Sequence, residues 1–171
     1  IGVLTNVLAS SIGSLTNPQR LANTFQSSNN MKLSQFTISS YIDYLVDSFL
    51  IERAHRFDVK GRKYIGTPMK YYFVDVGLRN ARLNFRQQEE NHIMENIIYN
   101  ELLRRRYSVD VGVVIVNEKK DDKYVKKQLE VDFIANKGDK RYYIQSAYEI
   151  SDEEKMKQEL QSFRNIDDSF R

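Results

Sequence analysis

The chain has 171 residues, 41% hydrophobic and 29% charged, with a net charge of +3, and this composition excludes a disordered chain. It contains no cysteine and only two histidines, which excludes a disulfide framework, a thiolate nucleophile and a multi-histidine metal site. No run approaches the roughly 20 uncharged residues of a membrane span. We therefore expect a globular, cytoplasmic protein without membrane contact. Because it starts at Ile1 without a leader, we also expect a fragment of a longer protein.

The first 48 residues predict three helices. Ile1–Ser11 is a mostly apolar run typical of a buried helix. Asn17-Pro18 predicts the start of a second helix, running to about Gln26, because Asn caps free N–H groups and Pro is tolerated in the first turn. Between Thr37 and Ser48, apolar residues recur at helical spacing and predict the third helix.

A β-hairpin is predicted next. Phe49–Asp58 and Met69–Asp75 are rich in aromatic and β-branched residues, and the link 59–68 is rich in turn formers. Three short helices followed by a hairpin is the order of a winged helix-turn-helix, in which the third helix reads the DNA groove and the hairpin is the wing. We expect this domain, with a polar connector over 77–91, to occupy residues 1–87.

Positive charge is concentrated in the predicted wing. Residues 49–86 carry nine Lys and Arg against three Asp and Glu, which indicates a patch for phosphates or an acidic partner; a solvated hairpin is the alternative. The third helix contains no Lys or Arg, so we expect backbone contacts and little base readout. A winged helix used for protein contacts or as a spacer is the competing interpretation. The candidate nucleic-acid-binding residues are Arg53, Arg56, Lys60, Arg62, Lys63 and Lys70.

The second half predicts a helix, three antiparallel strands and a final helix over residues 88–171. The long amphipathic helix spans His92–Tyr107, and the last helix is capped at Ser151–Glu154 and runs to about Phe163. The strands are predicted at Val109–Asn117, Gln128–Ala135 and Arg141–Tyr148, with a flexible charged link at 118–127.

Four residues in this half follow the order of a PD-(D/E)xK nuclease core. In that core a helix Glu, a strand Asp and a Glu-x-Lys converge; the acids hold a divalent cation and the lysine helps to activate water. The corresponding positions here are Glu95, Asp132, Gln145 and Ala147. Because Gln replaces the second acid and Ala replaces the lysine, we expect relic positions in an inactive fold. The alternatives are Glu149 as a substitute metal ligand beside Glu95 and Asp132, and Lys140 or Arg141 in the lysine's role.

Nearly the whole chain resembles the C-terminal half of a prokaryotic family of AAA+-type ATPases. The resemblance rests on Lys70–Asn80 (KYYFVDVGLRN), Met94–Arg105 and Glu130–Ile134 (EVDFI). It implies an upstream ATPase domain that would bind ATP and Mg²⁺; this fragment has no phosphate-binding loop motif, so no cofactor is expected in it. The expected fold is α+β or α/β: an N-terminal winged helix-turn-helix followed by a restriction-endonuclease-like αβββα core, truncated at both ends.

These patterns give one leading functional hypothesis and two alternatives. The leading one is a non-catalytic C-terminal region of an AAA+-type ATPase that contacts nucleic acid through the wing or serves a regulatory role. One alternative is a divalent-metal-dependent nuclease with a rearranged site. The other is a scaffold for a protein partner or for self-association.

Overall fold

The computed structural model describes residues 1–120 and 123–166. Within them the fold is a mixed α+β arrangement in which seven helices accompany a five-stranded sheet of order β2-β1-β3-β4-β5. β1 is parallel to β3, whereas β4 is antiparallel to both β3 and β5. The elements are α1 (Gly2–Ser10), α2 (Pro18–Asn29), α3 (Gln35–Asp47), β1 (Ile51–Asp58), β2 (Lys63–Phe73), α4 (Val76–Arg82), α5 (Glu90–Arg104), β3 (Ser108–Lys120), β4 (Lys123–Lys137), β5 (Lys140–Ile144), α6 (Glu153–Glu159) and α7 (Gln161–Arg164).

Residues 1–54 and 67–100 form one compact unit, here called unit 1. Its core joins the apolar faces of α1, α2 and α3 to β2, with Leu8, Ile38 and Phe73 almost fully buried. α2 starts at the predicted cap, where the Asn17 side chain accepts a hydrogen bond from the Arg20 N–H. It extends past Gln26 to Asn29, because the polar residues that follow Gln26 form its last turn before Asn30 turns left-handed at φ 52°.

Two local features fix the rest of the helical half. α3 begins at Gln35, two positions before the predicted start, because the Ser34 hydroxyl accepts a hydrogen bond from the Thr37 N–H. Thr16, between α1 and α2, forms an isolated antiparallel bridge with Met69 of β2, with both backbone hydrogen bonds at 2.9 Å. The bridge ties the α1–α2 link to the hairpin strand.

The predicted connector over 77–91 is wrong in its first part, which is helix α4. Asp75 caps this helix by accepting from the Leu78 N–H. Arg79 is fully buried and donates to the Ala9 carbonyl at 2.8 Å and to the Gln87 carbonyl at 2.5 Å. The polar composition conceals the helix because its charged side chain bonds inward to backbone carbonyls. α5 also ends earlier than Tyr107, since Arg106 adopts φ 64°.

Residues 55–66 and 101–171 form the second compact unit, unit 2. β3 and β4 pair from Ser108↔Asn136 as far as Lys120↔Lys123. The predicted flexible link 118–127 is therefore wrong for 118–120 and 123–127, which continue the two strands; the remainder lies outside the described residues. Cross-strand bonding holds this polar segment extended although its composition is typical of a loop.

The end of unit 2 is more broken than predicted. β5 stops at Ile144 and does not reach Tyr148, because the Ser146 N–H donates to the Asp132 side chain instead of to a neighbouring strand. Asp152 caps the last helical segment, within the predicted Ser151–Glu154 cap. That segment divides at Leu160 into α6 and α7. Among the helices described, none is long and apolar enough to cross a membrane.

Candidate functional site

The tip of the β1–β2 hairpin carries three exposed cations, Lys60, Arg62 and Lys63, which we call the basic turn. Its conformation is set by Asp58, a buried residue whose Oδ1 accepts from the Gly61 N–H at 2.9 Å. A Cβ at Gly61 would lie 2.3 Å from Asp58 Oδ2, so any larger residue there would displace the carboxylate that shapes the turn. Because Asp58 is buried, the exposed charge of the turn is positive.

The other three predicted nucleic-acid contacts are engaged within the fold. Lys70 is 4% exposed, and its ammonium lies 2.8 Å from the carboxylate of Glu95. Arg56 is buried and donates to Gln128 Oε1 at 2.9 Å. Arg53 pairs with Asp43 of α3 at 2.6 Å. The structure therefore places three of the six predicted cations at an exposed tip and the other three in contacts with Glu95, Gln128 and Asp43.

Glu95, predicted as the helix acid of a nuclease core, is a buried acceptor in unit 1. Its Oε1 accepts from the Lys70 ammonium and from the Tyr72 hydroxyl. Gly13, at φ 69°, approaches closely enough that a Cβ there would lie 3.2 Å from both carboxylate oxygens. The neighbouring Asn96 bonds both backbone groups of Phe73, at 2.9 and 2.8 Å. Glu95 thus helps to fix α5 on β2, and its charge is balanced by Lys70.

Asp132, predicted as the strand acid, lies at a β-bulge in unit 2. Between the pairs Asp110↔Ile134 and Gly112↔Val131, β4 contains one residue more than β3, and such bulges reorient side chains. Asp132 is buried, and its Oδ2 accepts from the Ser146 N–H at 2.7 Å and from the Ser146 hydroxyl at 2.6 Å. The carboxylate oxygen predicted as a metal ligand is used to hold the chain after β5.

Gln145, at the position of the second acid, bridges two elements. Its Oε1 accepts from the Asp132 N–H at 3.3 Å, and its Nε2 donates to Glu159 of α6 at 3.1 Å. Ala147 is half-buried and Glu149 is exposed. Sequence reasoning missed Ser146 and Glu159, because a serine beside a strand and a glutamate in a charged helix carry no specific signal.

These residues do not form a metal centre in the part of the chain that is described. Over residues 1–120 and 123–166, no group of three or more His, Asp or Glu side chains is placed to hold a metal ion. Glu95 belongs to unit 1, whereas Asp132 and Glu149 belong to unit 2. Arg141, weighed for the lysine's role, donates to Asn136 Oδ1 at 2.7 Å.

A further buried carboxylate in unit 2, Asp110, was not singled out from the sequence. The Tyr64 hydroxyl donates to its Oδ2 at 3.3 Å. Burial raises the pKa of Asp110, while the Tyr64 hydrogen bond and the charges of His55 and Arg141 oppose that rise. Burial, and then the Asp110 charge, raise the pKa of Tyr64. The hydrogen bond links Tyr64 of β2 to Asp110 of β3.

Comparisons with known proteins bear on the family alone. Residues 1–89 match the family profile described as Domain of unknown function (DUF8612). A protein of Haemophilus influenzae, described as an uncharacterized protein, is 41% identical over 143 residues, covering 84% of this chain and 32% of that protein. The chain thus spans about a third of the length of this curated relative. No solved structure matches. Because the profile covers more than half of the chain, the protein belongs to the DUF8612 family of domains of unknown function.

Proposed function

We propose that this chain is a non-catalytic, nucleic-acid-contacting region of a larger ATPase, and that it holds the phosphate backbone through the basic turn. The observation that carries the proposal is the exposure of Lys60, Arg62 and Lys63 on a turn fixed by Asp58. Ammonium and guanidinium groups on an exposed, defined turn bind phosphates by charge and hydrogen bonding, independently of base sequence.

The order of elements in the first half supports a winged helix. α1, α2 and α3 precede the β1–β2 hairpin, and the Thr16–Met69 bridge adds a third short extended segment to it. In this assignment the basic turn is the tip of the wing. The sequence of α3 contains no Lys or Arg, and its Asp43 and Asp47 are exposed. An acidic third helix disfavours groove reading, so the proposal places the contact on the wing.

The element order and side-chain contacts of the second half support a nuclease-like core that does not cleave nucleic acid. Its order of α5, three antiparallel strands and α6 is that of the αβββα core. The contacts of Asp132 with Ser146 and of Gln145 with Glu159 support a structural use of the site. The ATPase part of the proposal rests on the sequence resemblance, and the Haemophilus influenzae relative has the length to include such a domain. ATP and Mg²⁺ would be bound there.

The test is a fluorescence anisotropy titration of a labelled mixed-sequence duplex between about 50 and 200 mM salt. We expect binding that weakens steeply with salt. A plot of log affinity against log salt concentration has a negative slope. The triple variant Lys60→Gln/Arg62→Gln/Lys63→Gln should make this slope less steep by about 2.7, because each lost phosphate contact accounts for about 0.9. The charge-matched control is Lys32→Gln/Lys140→Gln/Lys157→Gln, three exposed lysines on other segments. No duplex affinity, or equal losses in both triples, would overturn the proposal.

A protein contact at α3 is the second candidate, favoured by its exposed aromatic residues. Phe36 is 78% and Tyr44 59% exposed on this helix, and Phe36 borders an open cavity of about 340 Å³ with Pro18 and Thr67. Exposed aromatic side chains are enriched at protein interfaces. Light scattering over a concentration series should then show self-association that Phe36→Ser/Tyr44→Ser abolishes. A mass that stays monomeric at every concentration would exclude self-association through this face.

A further inference from the structure

The outer part of the β3–β4 hairpin, residues 117–120 and 123–128, is a second positively charged feature of unit 2, which we call the arm. Its described side chains are exposed on both strands, so neither face is covered by a core. The sequence 117–128 contains five lysines and three acidic residues. An uncovered two-stranded ribbon contributes little to the stability of a fold. Stability therefore does not explain the length and charge of the arm.

The two faces of the arm differ in chemistry. Directly paired residues share a face, and so do residues two apart on one strand. The pairs Asn117↔Lys126 and Lys119↔Tyr124 therefore lie on one side, which we call the cationic face. Its described side chains are two lysines, the amides of Asn117 and Gln128, and Tyr124, which is 76% exposed. On the opposite face Glu118 is bonded to Lys127 at 3.3 Å. A face of ammonium, amide and hydroxyl groups fits phosphates.

The topology brings the arm and the basic turn to the same edge of the sheet. β1 and β3 are parallel, in the register Arg56↔Val111 and Asp58↔Val113. The Val59 N–H continues this pairing to the Val113 carbonyl at 3.0 Å. The carboxyl ends of the two strands therefore point the same way, and the basic turn follows one while the arm follows the other. Arg56 also bonds Gln128 at the base of the arm.

The arm extends beyond the turn along this edge. Lys120 is seven residues past Val113 in β3, which corresponds to about 23 Å at ~3.3 Å per residue. That reach exceeds the ~12 Å width of a DNA major groove. The basic turn ends close to the edge of the sheet, whereas the arm extends well past it. Two positively charged elements of different reach can contact phosphates on either side of a groove.

We propose that the cationic face of the arm is a second contact surface for the same double-stranded nucleic acid that the basic turn holds. The inference rests on the proposed function and adds a second contact to it, so that both the basic turn and the arm bind the duplex. Lys119 and Lys126 contact phosphates, and the Tyr124 hydroxyl donates to the backbone between them.

The test compares two doubles of equal charge change in the full chain. Lys119→Gln/Lys126→Gln removes the two lysines of the cationic face, whereas Lys123→Gln/Lys127→Gln removes two from the opposite face. With the same labelled duplex, we expect the first double to lower the salt slope by about 1.8, two contacts of about 0.9 each, and the second to leave it within error of the parent. Tyr124→Phe should weaken binding without changing the slope, because it removes a donor and no charge.

The outcomes separate this inference from the proposed function. If both doubles lose affinity equally, the effect is general charge and the inference is overturned; if neither does, the arm makes no contact. In either case a loss in the basic-turn triple variant leaves the proposed function standing. If the parent does not bind duplex, both are overturned. Far-ultraviolet circular dichroism and the urea midpoint should match the parent for all variants, because the substituted side chains are exposed.

Discussion

The buried cations of unit 1 and the exposed cations of unit 2 use positive charge in opposite ways; Arg56 of unit 2 is an exception, since it is buried and bonded to Gln128. In unit 1, Lys70 is buried and bonded to Glu95, and Arg79 is buried and bonded to backbone carbonyls. In unit 2, the three cations of the basic turn and the lysines of the arm whose side chains are described are exposed at hairpin ends. A buried charge is costly unless it is paired, and its loss destabilises the fold. An exposed charge contributes little to stability and remains available to a ligand. Cations that are equivalent in the sequence should therefore separate into stability determinants and binding determinants.

The comparison predicts its largest effect at Lys70. Lys70→Met should lower the free energy of unfolding by about 3–5 kcal/mol, because it leaves the Glu95 carboxylate buried without its ammonium partner. Urea denaturation followed by circular dichroism measures the loss. The double variant Lys70→Met/Glu95→Leu should be less destabilised than Lys70→Met, since no charge is then left unpaired. A Lys70 variant as stable as the parent would show that unit 1 does not depend on this pair.

Gly61 tests whether the basic turn depends on its backbone. Gly61→Ala should cost about 1–3 kcal/mol, the usual range for overpacking, because its Cβ would collide with Asp58. Gly66→Ala is the matched control in the same hairpin, where a Cβ meets no described atom within 4 Å; its effect should stay within about 0.5 kcal/mol. Equal midpoints for the two variants in urea would contradict the role of Asp58 in shaping the turn.

Replacing Asp110 should change the free energy of unfolding by a smaller amount, and that change should depend on pH. Burial raises its pKa in the folded chain above the ordinary value of 3.8, so ionisation opposes folding. The stability that the protonated group contributes is complete below pH 3.8 and is lost as pH rises through the folded pKa. Asp110→Asn should therefore be more stable than the parent at pH 7. The gain should shrink as the pH falls towards 4, and a gain independent of pH would contradict this assignment.

The smallest expected effect is at Arg53 and Asp43, a partly exposed pair of unit 1. A double-mutant cycle with Arg53→Gln and Asp43→Asn should give a coupling of about 0.2–1 kcal/mol, as for other exposed ion pairs. This pair lies between the two classes of cation, because it is bonded like the buried cations but is partly exposed to solvent. A coupling as large as the Lys70 effect would show that burial does not decide between the two uses of charge.

Apart from α4, the order of the elements could be read from the sequence, but the contacts of the charged side chains could not. Apolar periodicity and the Asn17 cap located the helices because both signals are local. The burial of Lys70 was missed because it depends on Glu95, 25 residues further along the chain. The helix α4 was missed for a similar reason, since Arg79 is held by Ala9, 70 residues away. The continuation of β3 and β4 into the arm depends on pairing across strands, whereas composition reports each segment alone.

The bridge made by Gln145 has a consequence for the substitutions that position 145 tolerates. An amide can accept from Asp132 and donate to Glu159 at once, and a carboxylate cannot do both. Replacing Gln145 alone by glutamate would set two negative groups against each other where a donor now stands. An acidic side chain at position 145 would therefore need a compensating substitution at Glu159 of α6.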